Sequence, residues 1–180
     1  MALAKFNREY KESKKVKNVV ICMYPNGIKN SHGSHLNHSL ECFQKKLLAQ
    51  REENVEIQVA FVYGDGIVYA RDFKKLEEGS ILYLESCKES PKLTHVWFLG
   101  MALLEKKAME DRREGIISQN EFYLFTDQQF KRSDEQQILD CPRFQNQEIG
   151  ITLVKSEGAA GGELERHISE RGEIWMDTDF

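Results

Sequence analysis

The chain has 180 residues with 25 basic and 29 acidic side chains, a formal charge of −4, and this lack of a basic footprint sets nucleic acid aside as a partner. With 41% hydrophobic and 30% charged residues it is too apolar to be disordered and long enough to bury an ordinary core. Cys22, Cys42, Cys87 and Cys141 share no CxxC spacing, no apolar run reaches about 18 residues, and Met1 to Lys15 lacks the apolar centre of a signal peptide. These features describe a reduced, cytoplasmic protein that does not enter a membrane.

Residues 1–15 read as a lead-in, and the basic cluster Lys11, Lys14, Lys15 and Lys17 reads as a solvated flank. Val16 to Tyr24 holds Val19, Val20, Ile21, Cys22 and Met23 in an unbroken apolar run, the pattern of a parallel strand buried on both faces. Pro25-Asn26-Gly27 ends it. Ser34 suits the N-cap of a helix whose Leu36, Leu40, Phe43 and Leu47 share one face and which fades near Arg51 to Asn54. Val55 to Tyr63 alternates as a strand, Gly64-Asp65-Gly66 signals a tight hairpin, and Ile67 to Phe73 returns as an antiparallel edge strand. Ser80 to Cys87 reads equally as a short strand or a packed loop.

A helix is expected from Thr94, with Val96, Leu99, Leu103 and Leu104 inward and Gly115 as its stop. Thr94 itself suits a helix N-cap. Glu121 to Gln128 carries Phe122, Tyr123, Leu124 and Phe125 without polar alternation, then stops at Thr126 and Asp127. That is a second doubly buried strand, and it organises the rest, because ligands of open α/β sheets bind at the carboxyl ends of strands. A polar stretch follows, with one helical turn near Ile138. Ile149 to Val154 is a strand, Gly158 to Gly162 a flexible turn, Leu164 and Ile168 mark a short helix, and Ile174 to Met176 is a last strand. The order β-α-β-β-α-β-β-α-β implies an α/β fold, a doubly wound and mostly parallel sheet of about six strands with one antiparallel edge strand, formed by a single domain over 16–180.

Several of these residues resemble a von Willebrand factor type A (VWA) domain of the bacterial cytoplasmic kind associated with tellurium resistance. The resemblance rests on Leu36-Asn37 and Leu40 in the first helix, Val68 to Phe73 with Asp72-Phe73 at its end, and Thr94 at the head of the second long helix. Phe125-Thr126-Asp127 stands where that family has Thr-Asp-Gly, and Leu164, Ile168-Ser169 and Asp177 to Phe180 fit its last helix and strand. It implies a metal-ion-dependent adhesion site (MIDAS), in which Asp, Ser and Thr oxygens on three loops hold a hard divalent cation. The family's first loop reads Asp-x-Ser-x-Ser. Here Met23, Pro25 and Gly27, or Tyr24, Asn26 and Ile28, take those places, so either register removes the carboxylate and both hydroxyls. Thr94 and Asp127 remain, and Gln128 replaces the glycine. The site is expected to be degenerate, with no cofactor, and Asn26, Thr94 and Asp127 are the weak candidates for magnesium or calcium.

His32, His35 and His38, spaced by three, and His95 lie near the same edge and raise the alternative of a zinc metalloenzyme. The preferred reading is solvated side chains at a helix start, since no acidic or Cys partner is fixed by spacing. No Gly-x-Ser-x-Gly elbow, dinucleotide fingerprint or Walker-type phosphate loop is present. Gly158 to Gly162 before a helix offers a weak anion site. Trp97, Phe98 and Trp175 read as packing residues, with Trp97 a possible interface anchor.

The expectation is a non-enzymatic protein–protein interaction module in a bacterial stress, signalling or defence assembly. Its partner protein would meet the loop edge of the sheet at Tyr24, Asn26, His32, His35, Thr94, His95 and Asp127. The ending at Phe180, where relatives continue into a helix, predicts an exposed apolar face that a partner or a second copy in a homo-oligomer would cover.

Overall fold

The computed structural model describes residues 13–26, 35–84, 87–141 and 148–179. Among them the chain runs β1 (Lys15–Tyr24), α1 (His35–Ala49), β2 (Val55–Asp65), β3 (Ile67–Lys75), a 3-10 turn (Glu78–Ser80), α2 (Leu93–Arg113), β4 (Ile117–Thr126), α3 (Arg132–Leu139), β5 (Ile149–Lys155), α4 (Gly162–Arg171), β6 (Glu173–Met176) and a second 3-10 turn (Asp177–Asp179). The six strands form one sheet in the order β3-β2-β1-β4-β5-β6, parallel except for the hairpin strand β3 at one edge. The expected doubly wound sheet with one antiparallel edge is therefore what the chain forms. Ser34, expected to cap α1, lies outside the described residues.

Each face of the sheet has its own core, because alternate side chains of the central strands point to opposite sides. On one side Val20, Cys22 and Tyr24 of β1 and Phe122 and Leu124 of β4 meet α2, α3 and α4. On the other Val19, Ile21 and Met23 of β1 with Tyr123 and Phe125 of β4 meet α1. The stripe Leu36, Leu40, Phe43 and Leu47 is buried as the spacing predicts. Helix α2 is rotated from expectation. It seats Leu93, Val96, Trp97, Gly100, Met101 and Leu104, while Leu99 and Leu103 sit on its flank. Trp97 is a core residue, its ring 4.7 Å from that of Phe122, so it offers no interface anchor. The close seat depends on Gly100. A Cβ there would run into Cys22 Sγ and lie 2.7 Å from Phe122 Cε2.

Helix α2 ends at Arg113 and Gly115 follows with φ +70°, the left-handed position glycine favours after a helix. Strand β4 begins at Ile117, five residues before the apolar run starts at Phe122. Its polar start, Ser118 to Asn120, pairs in register with Val16 to Asn18 of β1. Helix α3 is two turns long instead of one.

The segment 81–84 is neither helix nor strand, and α1 holds it with side chains in place of a ladder. Asn37 Oδ1 accepts from Leu84 N–H and Asn37 Nδ2 donates to Leu84 O, both at 2.8 Å. One heptad on, Gln44 Oε1 accepts from Leu82 N–H at 2.8 Å and its Nε2 donates to Leu82 O at 2.9 Å. Asp65 Oδ1 then accepts the N–H groups of Lys88 and Glu89, and Gly66 N–H donates to Glu89 O, which ties the following segment to the hairpin.

The bare apolar face expected near the chain end is absent among the described residues. On the α1 side β5 and β6 carry Thr152 beside Glu173 and Val154 beside a half-buried Trp175. Trp175 donates its indole N–H to Glu173, and Lys46 sits 5.2 Å over its ring. At the opposite end of the sheet, buried Asn18 donates to Asp111 at 2.6 Å and to Asn120 at 3.0 Å, and Lys107 pairs with Asp111 at 2.8 Å. No helix among the described residues is long and apolar enough to cross a membrane.

Candidate functional site

Strands β1 and β4 are neighbours whose onward connections run in opposite directions along the sheet, which makes their carboxyl ends a topological switch point. Tyr24 and Thr126 face each other there in register. Both unbroken apolar runs end at this place because the chain leaves the core and meets water.

Hydrogen bonds close the edge. Thr126 Oγ1 donates to Tyr24 O at 2.9 Å and accepts from Gln128 N–H at 3.2 Å. Asp127 Oδ1 accepts the Asn26 backbone N–H at 2.6 Å. Pro25 O receives two donors, Ser90 Oγ at 2.9 Å from the segment before α2 and Gln128 Nε2 at 3.0 Å from the segment after β4. The loop after β1 is thus pinned from both sides, with Asn26 and Asp127 exposed and Pro25 buried. Reading the sequence missed Ser90 and Gln128 as fixing groups. Gln128 stood out as the replacement of a family glycine, and that was its available signal.

The predicted contact residues separate. Tyr24 is 1% exposed, packed among Val96, Trp97 and the other core residues of the α2 side, with Phe130 6.3 Å away ring to ring. Its side chain therefore has no surface to offer a partner, and it forms the floor beneath the edge. Burial, aided by the charge of Asp134, pushes its hydroxyl from 10.0 up to about 12. Thr94 is buried and is the second residue of α2, whose N-cap is Lys92, so it neither caps the helix nor lies open. His95 is exposed beside it. His35 and His38 are exposed on α1, and His38 Nε2 lies 3.7 Å from Cys42 Sγ. Helices α1 and α2 cover opposite faces of the sheet, so His35 and His38 belong to one layer and His95 to the other. His32 lies outside the described residues. Among the described residues no three His, Cys, Asp or Glu side chains gather as metal ligands.

The glycine-rich turn before α4 has the left-handed residues expected of it, Gly158, Ala160, Gly161 and Gly162. The amides at that helix start are already taken, since Glu165 accepts from Gly161 N–H at 2.5 Å and Glu135 from Leu164 N–H at 3.0 Å. The chain's own carboxylates fill the anion site.

No family model and no curated protein matches the chain. Solved structures do. The SpRpn10 VWA domain superposes with a TM-score of 0.56 at 11% identity, over 90% of this chain and 87% of that one. VWA2, the ArnB paralog from Sulfolobus acidocaldarius, gives a TM-score of 0.52 at 11% identity over 91% of this chain and 41% of its own. A von Willebrand factor type A protein from Catenulispora acidiphila gives 0.52 at 9% identity, over 91% of this chain and 38% of that one. The chain thus spans under half the length of the last two. At these identities the likeness is one of architecture, and the architecture of this chain is that of a VWA domain.

Proposed function

We propose that the chain is a non-enzymatic protein–protein interaction module of VWA type that meets its partner at the edge above β1 and β4 without a divalent cation. One observation carries the metal-free reading: Asp127 Oδ1 is already occupied by the Asn26 N–H, a short charge-assisted hydrogen bond. Its neighbours support it. A hard cation takes about six oxygen ligands. The described part of the first loop offers Tyr24, Pro25 and Asn26, and Thr94 is buried. Exposed Asn26, Asp127 and His95 are the residues that remain for direct contact, with His35 at the start of α1 beyond them. A role in a bacterial stress, signalling or defence assembly follows from the sequence resemblance alone.

Thermal unfolding of wild type and Asp127→Ala with magnesium, calcium, manganese or zinc, each against EDTA, tests the reading. A ligand that binds only the folded chain raises its apparent stability by mass action. The expected result is no shift with any ion and a lower melting temperature in Asp127→Ala. A magnesium, calcium or manganese shift abolished by Asp127→Ala would restore a cation site and overturn the proposal. A zinc-only shift that ignores Asp127 would move the function to the histidines.

A further inference from the structure

A second surface lies along the free edge of β3. This strand pairs with β2 on one side and ends the sheet on the other. Its regular part is short and bounded at both ends. The hairpin turn at Gly66 precedes it, and the register shift opposite Val59 to Phe61 follows Arg71, so residues 67–71 alone run as a plain ladder. Bulges and charged side chains are the devices that keep an edge from pairing with another strand. From Ile67 to Ala70 this edge has neither. Ile67 is 68% exposed and Tyr69 51%. Tyr69 stands directly opposite Tyr63 of β2 with the rings 5.9 Å apart, and Arg71 lies 5.3 Å over the Tyr63 ring. Past the ladder Lys75 pairs with Glu77 at 3.3 Å, and Asp72, Glu77 and Glu78 offset Arg71, Lys74 and Lys75, so this end carries no net charge to repel its own like.

We infer that β3 pairs antiparallel with β3 of a second copy about a two-fold axis at Tyr69, joining the two sheets into one. The ladder selects this occupant because it is its own complement. With Tyr69 on the axis, all of residues 67–71 in each copy find a counterpart within 67–71 of the other. Any other register runs one ladder into the hairpin turn or the bulge, and centring on Arg71 sets like charges face to face. In the Tyr69 register Tyr69 meets the partner's Tyr69, so the aromatic row begun by Tyr63 continues across the axis, and aromatic cross-strand pairs stabilise a sheet. Ile67 meets the partner's Arg71, whose aliphatic stem covers it. Both exposed apolar side chains of the strand are thus buried in a closed, isologous contact, the commonest way identical chains associate.

The test begins with sedimentation equilibrium of the full chain, which shows a dimer at about 0.5 mM. Tyr69→Lys places like charges opposite each other on the axis and weakens the dimer at least about tenfold while the diluted monomer still unfolds cooperatively. Hydrogen exchange of the concentrated protein shows added protection within residues 67–71. Cysteine cross-linking reads the register, in a chain whose accessible thiols are removed by Cys42→Ser and Cys141→Ser. Tyr69→Cys brings its new thiol opposite itself and forms a disulfide-linked dimer under mild oxidation. Ile67→Cys alone does not, since the two copies of residue 67 lie about 13 Å apart along the strands, beyond the reach of a disulfide at about 7 Å. Mixing the Ile67→Cys chain with the Arg71→Cys chain restores cross-linking. The inference is overturned if the chain is monomeric at about 0.5 mM, if Tyr69→Lys dimerises as well as wild type, if protection appears only on other elements, or if Ile67→Cys cross-links as fast as Tyr69→Cys.

Discussion

Replacing Gly100 with alanine puts a methyl group where α2 lies closest to the sheet. The added Cβ would run into Cys22 Sγ, approach Phe122 Cε2 to 2.7 Å and Val20 Cγ1 to 3.3 Å. All three neighbours are 0% exposed and sit on the two central strands, so none has a free direction in which to yield. Overpacking of this kind costs about 1 to 3 kcal/mol, and the absence of slack places this site near 3. Alanine returns about 1 kcal/mol through its helix propensity, which leaves a net loss of about 2 kcal/mol. For a chain of this size that lowers the melting temperature by about 4 to 8 °C. Differential scanning calorimetry reads it directly, and Cys22→Ala in the same chain removes the nearest clash and recovers part of the shift. A Gly100→Ala protein as stable as wild type would refute the close seating of α2, and with it the placement of Thr94 and His95 at the head of that helix.

Asn37→Ala leaves the N–H and the C=O of Leu84 without their partners. A loss of about 3 kcal/mol in urea unfolding is expected, and one under about 0.5 would show that the segment 81–84 finds other support. Lys107→Ala strips the ammonium from Asp111, a carboxylate with 1% side-chain exposure, and should cost about 3 kcal/mol. Adding Asp111→Asn should recover most of it, and a double mutant no better than the single would contradict the buried-charge account. Tyr24 holds its proton more tightly folded than unfolded, so its contribution is full below pH 10.0 and is lost as pH rises through about 12. Over that window it amounts to about 3 kcal/mol. Burial and the Glu121 hydrogen bond raise Tyr123 in the same direction, so the difference between wild type and Tyr24→Phe isolates Tyr24. Urea unfolding from about pH 9 to about pH 11 should show a shallower alkaline decline in Tyr24→Phe, and equal slopes would refute the shift.

The sheet was legible in the sequence because doubly buried strands leave a signature that survives any loop detail. The runs Val19 to Met23 and Phe122 to Phe125 became β1 and β4, and Gly64-Asp65-Gly66 became the hairpin. The start of β4 was not legible, since Ser118 to Asn120 are polar and join the ladder through backbone groups that every residue carries. The rotation of α2 was hidden for a related reason. Leucines at 99 and 103 look like an inward stripe until Gly100, beside them, allows the opposite flank to press closer. Polar residues in the interior were the least readable. Asn37 and Gln44 stand on the buried face of α1 because they take over the backbone pairing of residues 82 and 84, which nothing in their own neighbourhood announces. At the candidate site the sequence placed Asp127 correctly at the end of β4. It had no means of placing the Asn26 N–H on that carboxylate, which depends on the path of the chain just after β1, whereas Tyr24 is buried by sharing the face of Val20 and Cys22 beneath α2.

That path has a consequence for recognition. A loop edge that must order itself on binding gives up part of its interaction energy, and one already fixed does not. Here the described end of the first loop is fixed by Asp127 on one side and by Ser90 and Gln128 on the other. Ser90 in turn closes a segment whose preceding residues are bound to the β2–β3 hairpin, with Cys87 Sγ 3.1 Å from Gly64 O and Lys88 and Glu89 on Asp65. One short strut therefore joins the switch point of the sheet to the free edge strand. It spans the top of β1 and β2, and its hydrogen bonds are to backbone at both ends or to a carboxylate held at the hairpin.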